Sequence, residues 1–294
     1  MEIIDGKKIS NQIKEEIKDE VQNIISKGDK PPHLAAVLVG EDGASLTYVG
    51  SKVRSCEQVG FKSTLVKLPE NINEKDLLSK IYKLNDDKEI DGFIVQLPLP
   101  KHIDEEKILL AINPNKDVDG FHPTNFGKMA LNMKTFIPAT PFGIMELLKR
   151  YKIETSGKNT VVIGRSNIVG RPISILMNSK GNPGDSTVTV VHSRTVNLES
   201  YTKNADIIIS ALGIPGFVKK EMVKKGVVII DVGITRVKDN NSPKGYVIRG
   251  DVDFDSVKEK ASYITPVPGG VGPMTIAMLL KNTLLSKSLL KNNN

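Results

Sequence analysis

The chain has 294 residues, with 41 lysines and arginines against 34 aspartates and glutamates, giving a formal net charge of +7. At about 150 residues per domain this is enough chain for two domains, each able to bury a core without covalent staples. The single cysteine, Cys56, excludes an internal disulfide framework, and four scattered histidines (His33, His102, His122, His192) lack the spacing of a metal site, so no metal is expected.

Ile9, Ile13, Ile17, Val21 and Ile24 recur at three- and four-residue steps and predict a first helix, ended by Gly28 and Pro31-Pro32. Residues 34–39 form a short apolar run closed by Gly40, as a buried strand would. Residues 45–59 have helical spacing, 61–68 alternate like a strand, 74–84 are helical again, and 92–97 form a third apolar strand. This alternation implies parallel strands joined by crossover helices. Residues 101–141 are proline-rich and read as irregular, and the domain boundary is placed near Pro138. A connecting helix is predicted over 142–151. The second series has strands at 160–163, 187–191, 206–210 and 227–232, with helices at 169–177, 198–203 and 219–225. Pro273 opens a last helix to about Leu285, and the tail Lys291-Asn292-Asn293-Asn294 reads as frayed.

The opening Met1-Glu2-Ile3-Ile4-Asp5 has no cationic, apolar leader, and no run approaches the ~20 apolar residues of a membrane span, so a cytoplasmic protein is expected. Lysine and arginine are dispersed among acids without interleaved aromatics. Nucleic acid is therefore not expected, whereas an anionic small ligand is compatible with the charge.

Gly164-Arg165-Ser166-Asn167-Ile168-Val169-Gly170-Arg171 lies between a predicted strand and a predicted helix, where a Rossmann-like fold holds a pyrophosphate. Glycine allows close backbone approach there, and the helix N-terminus favours an anion. On spacing alone an ordinary strand-to-helix turn explains it equally well. The next strand ends in His192-Ser193-Arg194-Thr195, without the acid that would hold a ribose 2′-hydroxyl. A hydroxyl and a guanidinium suit a 2′-phosphate, so NADP is favoured over NAD. Ile234, after the strand ending near 232, is a candidate apolar wall for the nicotinamide, with a plain core role as the alternative.

Tyr48 and Lys52 stand four residues apart on one helix face. A lysine at the edge of a core can be partly desolvated and transfer protons, although a solvated surface lysine is the commoner case. Gln96-Leu97-Pro98-Leu99-Pro100 puts Gln96 at the carboxyl edge of a strand, and Asp117-Val118-Asp119-Gly120 sets two carboxylates on a turn, where aspartate is ordinary.

Taken in order, Tyr48-x-x-x-Lys52, Gln96-Leu97-Pro98-Leu99-Pro100, Lys116-Asp117-Val118-Asp119-Gly120, Gly164-Arg165-Ser166-x-x-Val169-Gly170 and Pro266-Val267-Pro268-Gly269-Gly270-Val271-Gly272-Pro273-Met274-Thr275 strongly resemble the bifunctional methylenetetrahydrofolate dehydrogenase/methenyltetrahydrofolate cyclohydrolase family. The resemblance runs from about Ile4 to Leu285. It implies two α/β domains flanking a cleft, the second a Rossmann-like NADP-binding domain. The folate-binding catalytic domain would be 1–138 plus 269–294, and the NADP domain 139–268. It implies oxidation of 5,10-methylenetetrahydrofolate by NADP⁺ and hydrolysis of the product to 10-formyltetrahydrofolate. Lys52 would serve the hydrolysis, with Gln96 orienting it, Tyr48 stacking on or beside the folate and Asp119 binding the pterin. Gly164, Arg165, Ser166, Gly170, Ser193, Arg194 and Ile234 would line the cofactor. Family members are typically homodimers pairing through the cofactor domain. Two departures stand out: Asp42-Gly43-Ala44-Ser45 replaces the more usual Asp-x-Pro-Ala-Ser before the tyrosine, and the stretch 179–186 is longer than in many members.

Overall fold

A computed structural model describes every residue except Asp42, Lys244, Asn293 and Asn294, together with all side chains but those of these four, Ala44, Lys291 and Asn292. The departure at Asp42 and the last two residues of the tail lie outside the described residues. The chain divides into two compact units, one of Asn11–Ala139 with Ile276–Asn294, the other of Met1–Ser10 with Thr140–Thr275.

The chain opens with β1 (Glu2–Ile3) and α1 (Gly6–Ser26), whose isoleucine stripe Ile9, Ile13 and Ile17 is buried. β2 (His33–Val39), α2 (Gly43–Val59), β3 (Lys62–Leu68), α3 (Glu74–Asp86) and β4 (Gly92–Val95) follow. The three strands form one parallel sheet in the order β3-β2-β4. β2 is central and buried along its whole length, which its unbroken apolar run requires, whereas edge strand β3 is half exposed. The core of this small-sheet unit gathers Ala35, Val37, Leu77, Ile81, Phe93 and Ile108. His33 is a buried polar member. Its ring nitrogens meet Glu89 O at 2.9 Å and Thr64 Oγ1 at 2.8 Å, so burial leaves neither unpaired.

The region expected to be irregular holds two short helices, α4 (Glu105–Ala111) and α5 (Pro123–Ala130). Each has a cap: Asp104 accepts from the Glu106 and Lys107 N–H groups, and His122 Nδ1 accepts from the Thr124 N–H, with Pro123 in the first turn.

α6 (Ala139–Arg150) leads into the large-sheet unit, with β5 (Asn159–Ile163), α7 (Gly170–Asn178), β6 (Thr187–Val191), α8 (Leu198–Thr202), β7 (Ile207–Ser210), β8 (Val227–Asp231), β9 (Thr235–Lys238), β10 (Tyr246–Arg249), α9 (Phe254–Val257) and β11 (Ala261–Ile264). The sheet is parallel throughout, in the order β1-β11-β8-β7-β5-β6. β7 and β8 are wholly buried, and their near-continuous isoleucine and valine content matches that position. Pairing of β1 with β11 explains why the first ten residues go with this unit, not with the helix residues that follow them. β9 and β10 form a separate antiparallel ribbon, with the Arg236 guanidinium 4.9 Å from the Tyr246 ring centre.

The predicted helix at 219–225 shrinks to one tight turn, Lys220–Met222, because only Met222 and Val223 are apolar enough to bury. The last helix, α10 (Val271–Asn292), is longer than expected at both ends and includes Lys291 and Asn292. Its later half belongs to the small-sheet unit. There Asn282 Nδ2 donates to Val118 O (2.8 Å) and Ile137 O (2.9 Å), and the Ser286 hydroxyl donates to Asp91 O and Asn115 O. No described helix is long and apolar enough to cross a membrane.

Candidate active site

In the small-sheet unit the ladder of β2 with β4 continues one bond further, Gln96 N donating to Val37 O at 2.9 Å, so the Gln96 backbone is fixed at the sheet's carboxyl edge. Its amide is fixed as well: Nε2 donates to Leu97 O at 2.8 Å, which leaves Oε1 to accept from Lys52 Nζ at 3.1 Å. α2 presents Lys52 because Val49 and Cys56 occupy its buried face, and this leaves Lys52 half-buried at the boundary. Tyr48 lies one turn earlier and is 46% exposed, a broad ring available to a ligand. Burial pushes the Cys56 thiol up to about 12, so it is an inert core residue.

Lys116-Asp117-Val118-Asp119-Gly120 divides into anchors and one free-facing acid. Lys116 is buried, and its Nζ donates to Leu84 O (3.1 Å) and Asp87 O (2.6 Å) at the end of α3. Asp117 is buried and accepts from Asn125 Nδ2 (2.8 Å), His122 N (2.8 Å) and Phe121 N (3.3 Å). Burial outweighs those donors and pushes its carboxyl up to about 7. Asp119, two residues on, is the member near Lys52. Burial pushes its carboxyl up, and the charge of Lys52 opposes that shift. Gly120 has φ +75° and a Cβ there would stand 2.8 Å from Pro138 N, so only glycine fits the turn that aims Asp119. The structure therefore joins Lys52, Gln96 and Asp119, which lie 44 and 67 positions from the lysine in the chain.

In the large-sheet unit the turn after β5 is closed by two glycines. Gly164 has φ +117° and a Cβ there would stand 2.4 Å from Ala211 O; a Cβ on Gly170 would stand 2.4 Å from Gly164 O. The Ser166 hydroxyl accepts from the Val169 (3.2 Å) and Gly170 (3.3 Å) N–H groups and so caps the first turn of α7, which has no side-chain cap of its own at Val169. Arg165 and Arg171 are exposed on either side. After β6 the turn is held by Thr195 Oγ1 accepting from His192 N at 2.9 Å, and Ser193 and Arg194 are exposed on it. A backbone cradle with no room for side chains, next to a helix start and two exposed arginines, suits a pyrophosphate. The turn bearing Ser193 and Arg194 offers a 2′-phosphate partners and carries no acid to repel it.

Ile234, 45% exposed after β8, packs beside Gly272, where a Cβ would stand 3.1 Å from its Cδ1. With residues 231–234 and 266–273 it lines a pocket of about 180 Å³. Two residues escaped the sequence reading: Asp231 and Asp251, both buried at the same sheet edge. Burial pushes the Asp231 carboxyl up to about 6. Their available signal was an acid closing an otherwise apolar strand and an acid directly after Gly250.

A parallel α/β unit with a glycine-closed strand-to-helix turn, accompanied by an α/β unit carrying a lysine, an amide and a carboxylate, defines a two-unit, nucleotide-dependent enzyme. Residues 4–119 match the catalytic domain of tetrahydrofolate dehydrogenase/cyclohydrolase, and residues 138–291 match its NAD(P)-binding domain. The chain belongs to the tetrahydrofolate dehydrogenase/cyclohydrolase family. It is 72% identical to the bifunctional protein FolD of Flavobacterium johnsoniae over 289 residues, 98% of each chain. Among solved structures it resembles the bifunctional FolD methylenetetrahydrofolate dehydrogenase/cyclohydrolase of Campylobacter jejuni, at 49% identity, 99% of each chain and a TM-score of 0.93. It also resembles the Trypanosoma brucei enzyme solved with NADP cofactor and inhibitor, at 39% identity, 98% of each chain and a TM-score of 0.92.

Proposed function

We propose that this chain oxidises 5,10-methylenetetrahydrofolate to 5,10-methenyltetrahydrofolate with NADP⁺ and hydrolyses that product to 10-formyltetrahydrofolate. The small-sheet unit, with α10, would hold the folate, and the large-sheet unit the NADP. The observation that carries the reading is the Lys52 Nζ to Gln96 Oε1 hydrogen bond, with the charge of Lys52 also acting on Asp119.

NADP⁺, when bound, supplies a hydride acceptor. The lone pair of a folate nitrogen drives the hydride off the methylene carbon and leaves a cationic methenyl bridge, so that step needs no protein acid or base. The second step does. Water adds to the methenyl carbon and loses one proton, which is released; the bond from that carbon to N5 then breaks as the new hydroxyl gives up its remaining proton and N5 gains one, leaving the formyl group on N10. Lys52 is the group that moves those protons, and Gln96 Oε1 holds its Nζ in one place. The Asp119 carboxylate accepts a fork of pterin N–H donors, and Tyr48 stacks on or beside the pterin. Gly164, Gly170 and Ser166 receive the pyrophosphate, with Arg165 beside it. Ser193 and Arg194 take the 2′-phosphate, and Ile234 walls the nicotinamide. By family resemblance the enzyme works in the cytoplasm as a homodimer paired through its NADP unit, which sedimentation of the purified chain would read.

The test is two assays on one preparation. Methylenetetrahydrofolate with NADP⁺ or NAD⁺ should give faster oxidation with NADP⁺. Methenyltetrahydrofolate without nucleotide should lose its chromophore faster than in buffer. Failure of the first assay would remove the dehydrogenase assignment, and failure of the second the cyclohydrolase assignment.

A further inference from the structure

Asp251 is fully buried. Its Oδ2 accepts from the Leu212 N–H at 2.6 Å and the Ser210 hydroxyl at 3.3 Å, and its Oδ1 accepts from the Ile214 N–H at 2.9 Å. Asp231 accepts from the Gly233 and Asp251 N–H groups at 2.9 Å and from the Val252 N–H at 3.0 Å. The Asp231 carboxylate thus holds its own following loop and the backbone of Asp251 and Val252, and the Asp251 carboxylate holds the segment after β7. A Cβ on Gly233 would stand 2.3 Å from Asp251 Oδ1, and one on Gly250 would stand 2.0 Å from Asp231 Oδ2. The tie extends outward, since Thr235 Oγ1 donates to Gly213 O at 3.3 Å and the glycine turn after β5 packs on Ala211 O.

Two buried carboxylates are a costly way to hold loops unless the loops must be held accurately. Both tied loops end in an exposed apolar side chain, Ile214 at 51% and Ile234 at 45%. They follow β7 and β8 at the carboxyl edge of a parallel sheet, where ligands of such folds bind. Rigid backbone beneath with uncovered isoleucines above is what a flat, partly apolar ring requires.

We propose that Asp251, braced by Asp231, is a positioning residue for hydride transfer, fixing Ile214 and Ile234 as apolar contacts for the nicotinamide ring. The proposal rests on the assignment of the large-sheet unit to NADP. An amide at position 251 keeps one acceptor oxygen but turns N–H donors toward Leu212 or Ile214, so one loop is released while the volume is preserved.

NADPH fluorescence on binding is measured first with the wild-type enzyme, and absence of binding would overturn the NADP assignment itself. With binding established, Asp251→Asn should lower the dehydrogenase kcat about ten-fold or more, since misplacement by an ångström has such effects. NADPH affinity should change far less, and nucleotide-free hydrolysis of methenyltetrahydrofolate should not change. Hydrogen exchange at the Leu212 and Ile214 amides should speed up. Ile214→Ala, a surface change that leaves folding intact, should reproduce the selective loss of kcat. An unchanged dehydrogenase kcat in both variants would overturn the proposal, as would a parallel fall of both activities with the melting temperature.

Discussion

Gln96 has one amide oxygen to offer Lys52 because its N–H₂ group is already committed to Leu97 O. Contacts of this size, single polar atoms committed one way, carry most of the functional reading. Arg194 is the clearest to test in the nucleotide unit: it is exposed on a turn with no acid, and a 2′-phosphate is the ligand group it suits. Arg194→Ala should weaken NADP⁺ binding by about 1.5–3 kcal/mol, on the order of 10- to 150-fold, and leave NAD⁺ binding nearly unchanged. Nucleotide titration of the variant checks this, and equal weakening of both would detach Arg194 from the phosphate. Asp119 is expected to serve both reactions, since both use one bound pterin. Asp119→Ala should impair oxidation and hydrolysis together, and Asp119→Asn should recover only part, keeping one acceptor and losing the charge. Unchanged rates in both assays would return Asp119 to an ordinary turn residue. At this scale residue spacing identified residue types but not partners, and the pairing of Gln96 with Lys52 came only as an implication of the family resemblance. Lys52, Gln96 and Asp119 were legible as separate motifs. Their convergence depends on β2, β4 and α2 packing, which spacing does not encode. Asp231 and Asp251 were not legible because one reads as a strand end and the other as an ordinary loop acid until the two are side by side.

The elements that announced themselves are those with a single periodicity. The isoleucine stripe of α1 and the apolar runs of β2, β4, β7 and β8 each fit one structure only. The ones not foreseen draw stability from caps and pairings instead: α4 and α5 from Asp104 and His122, β1 from β11, and β9 from β10. The turn between α4 and α5 has a pH dependence of its own. Asp117 is raised from 3.8 to about 7, so its protonated form favours the fold. That stability is fully present below about pH 4 and is lost as pH rises through about 7, at most about 4 kcal/mol. Asn at position 117 cannot titrate. The melting-temperature difference between wild type and Asp117→Asn should therefore shift in favour of the variant from pH 4 to pH 8. A difference that stays flat over that range would mean that Asp117 is ionised throughout. The glycine turn after β5 is equally local. Gly170→Ala sets a Cβ 2.4 Å from Gly164 O, and should weaken NADPH binding in fluorescence titration while leaving nucleotide-free hydrolysis unchanged. Full retention of NADPH affinity would mean that the turn tolerates the shift.

For the whole molecule, the two reactions are expected to use the chain's two units unequally. On this reading oxidation should require both the nucleotide turn and the pterin site, whereas hydrolysis should require only the small-sheet unit with α10. The alternation of strands and helices made two parallel α/β units legible, and the resemblance implied that the last helix returns to the first domain; that α1 changes unit along its length was not legible, since a helix pattern carries no mark of where its packing partners change. The central claim is that one lysine separates the two chemistries. Removing a positioned acid–base group typically costs about 10²- to 10⁴-fold, and hydride loss driven by the folate nitrogen needs no such group. Lys52→Met should therefore oxidise methylenetetrahydrofolate measurably while failing to hydrolyse the product. Lys52→Arg should not restore hydrolysis, because a guanidinium does not give up its proton. The most direct measurement follows the methenyl absorbance during turnover of Lys52→Met with methylenetetrahydrofolate and NADP⁺. Accumulation of methenyltetrahydrofolate in step with NADPH is the expected result; clearance of the methenyl band at near the wild-type rate would contradict the role given to Lys52.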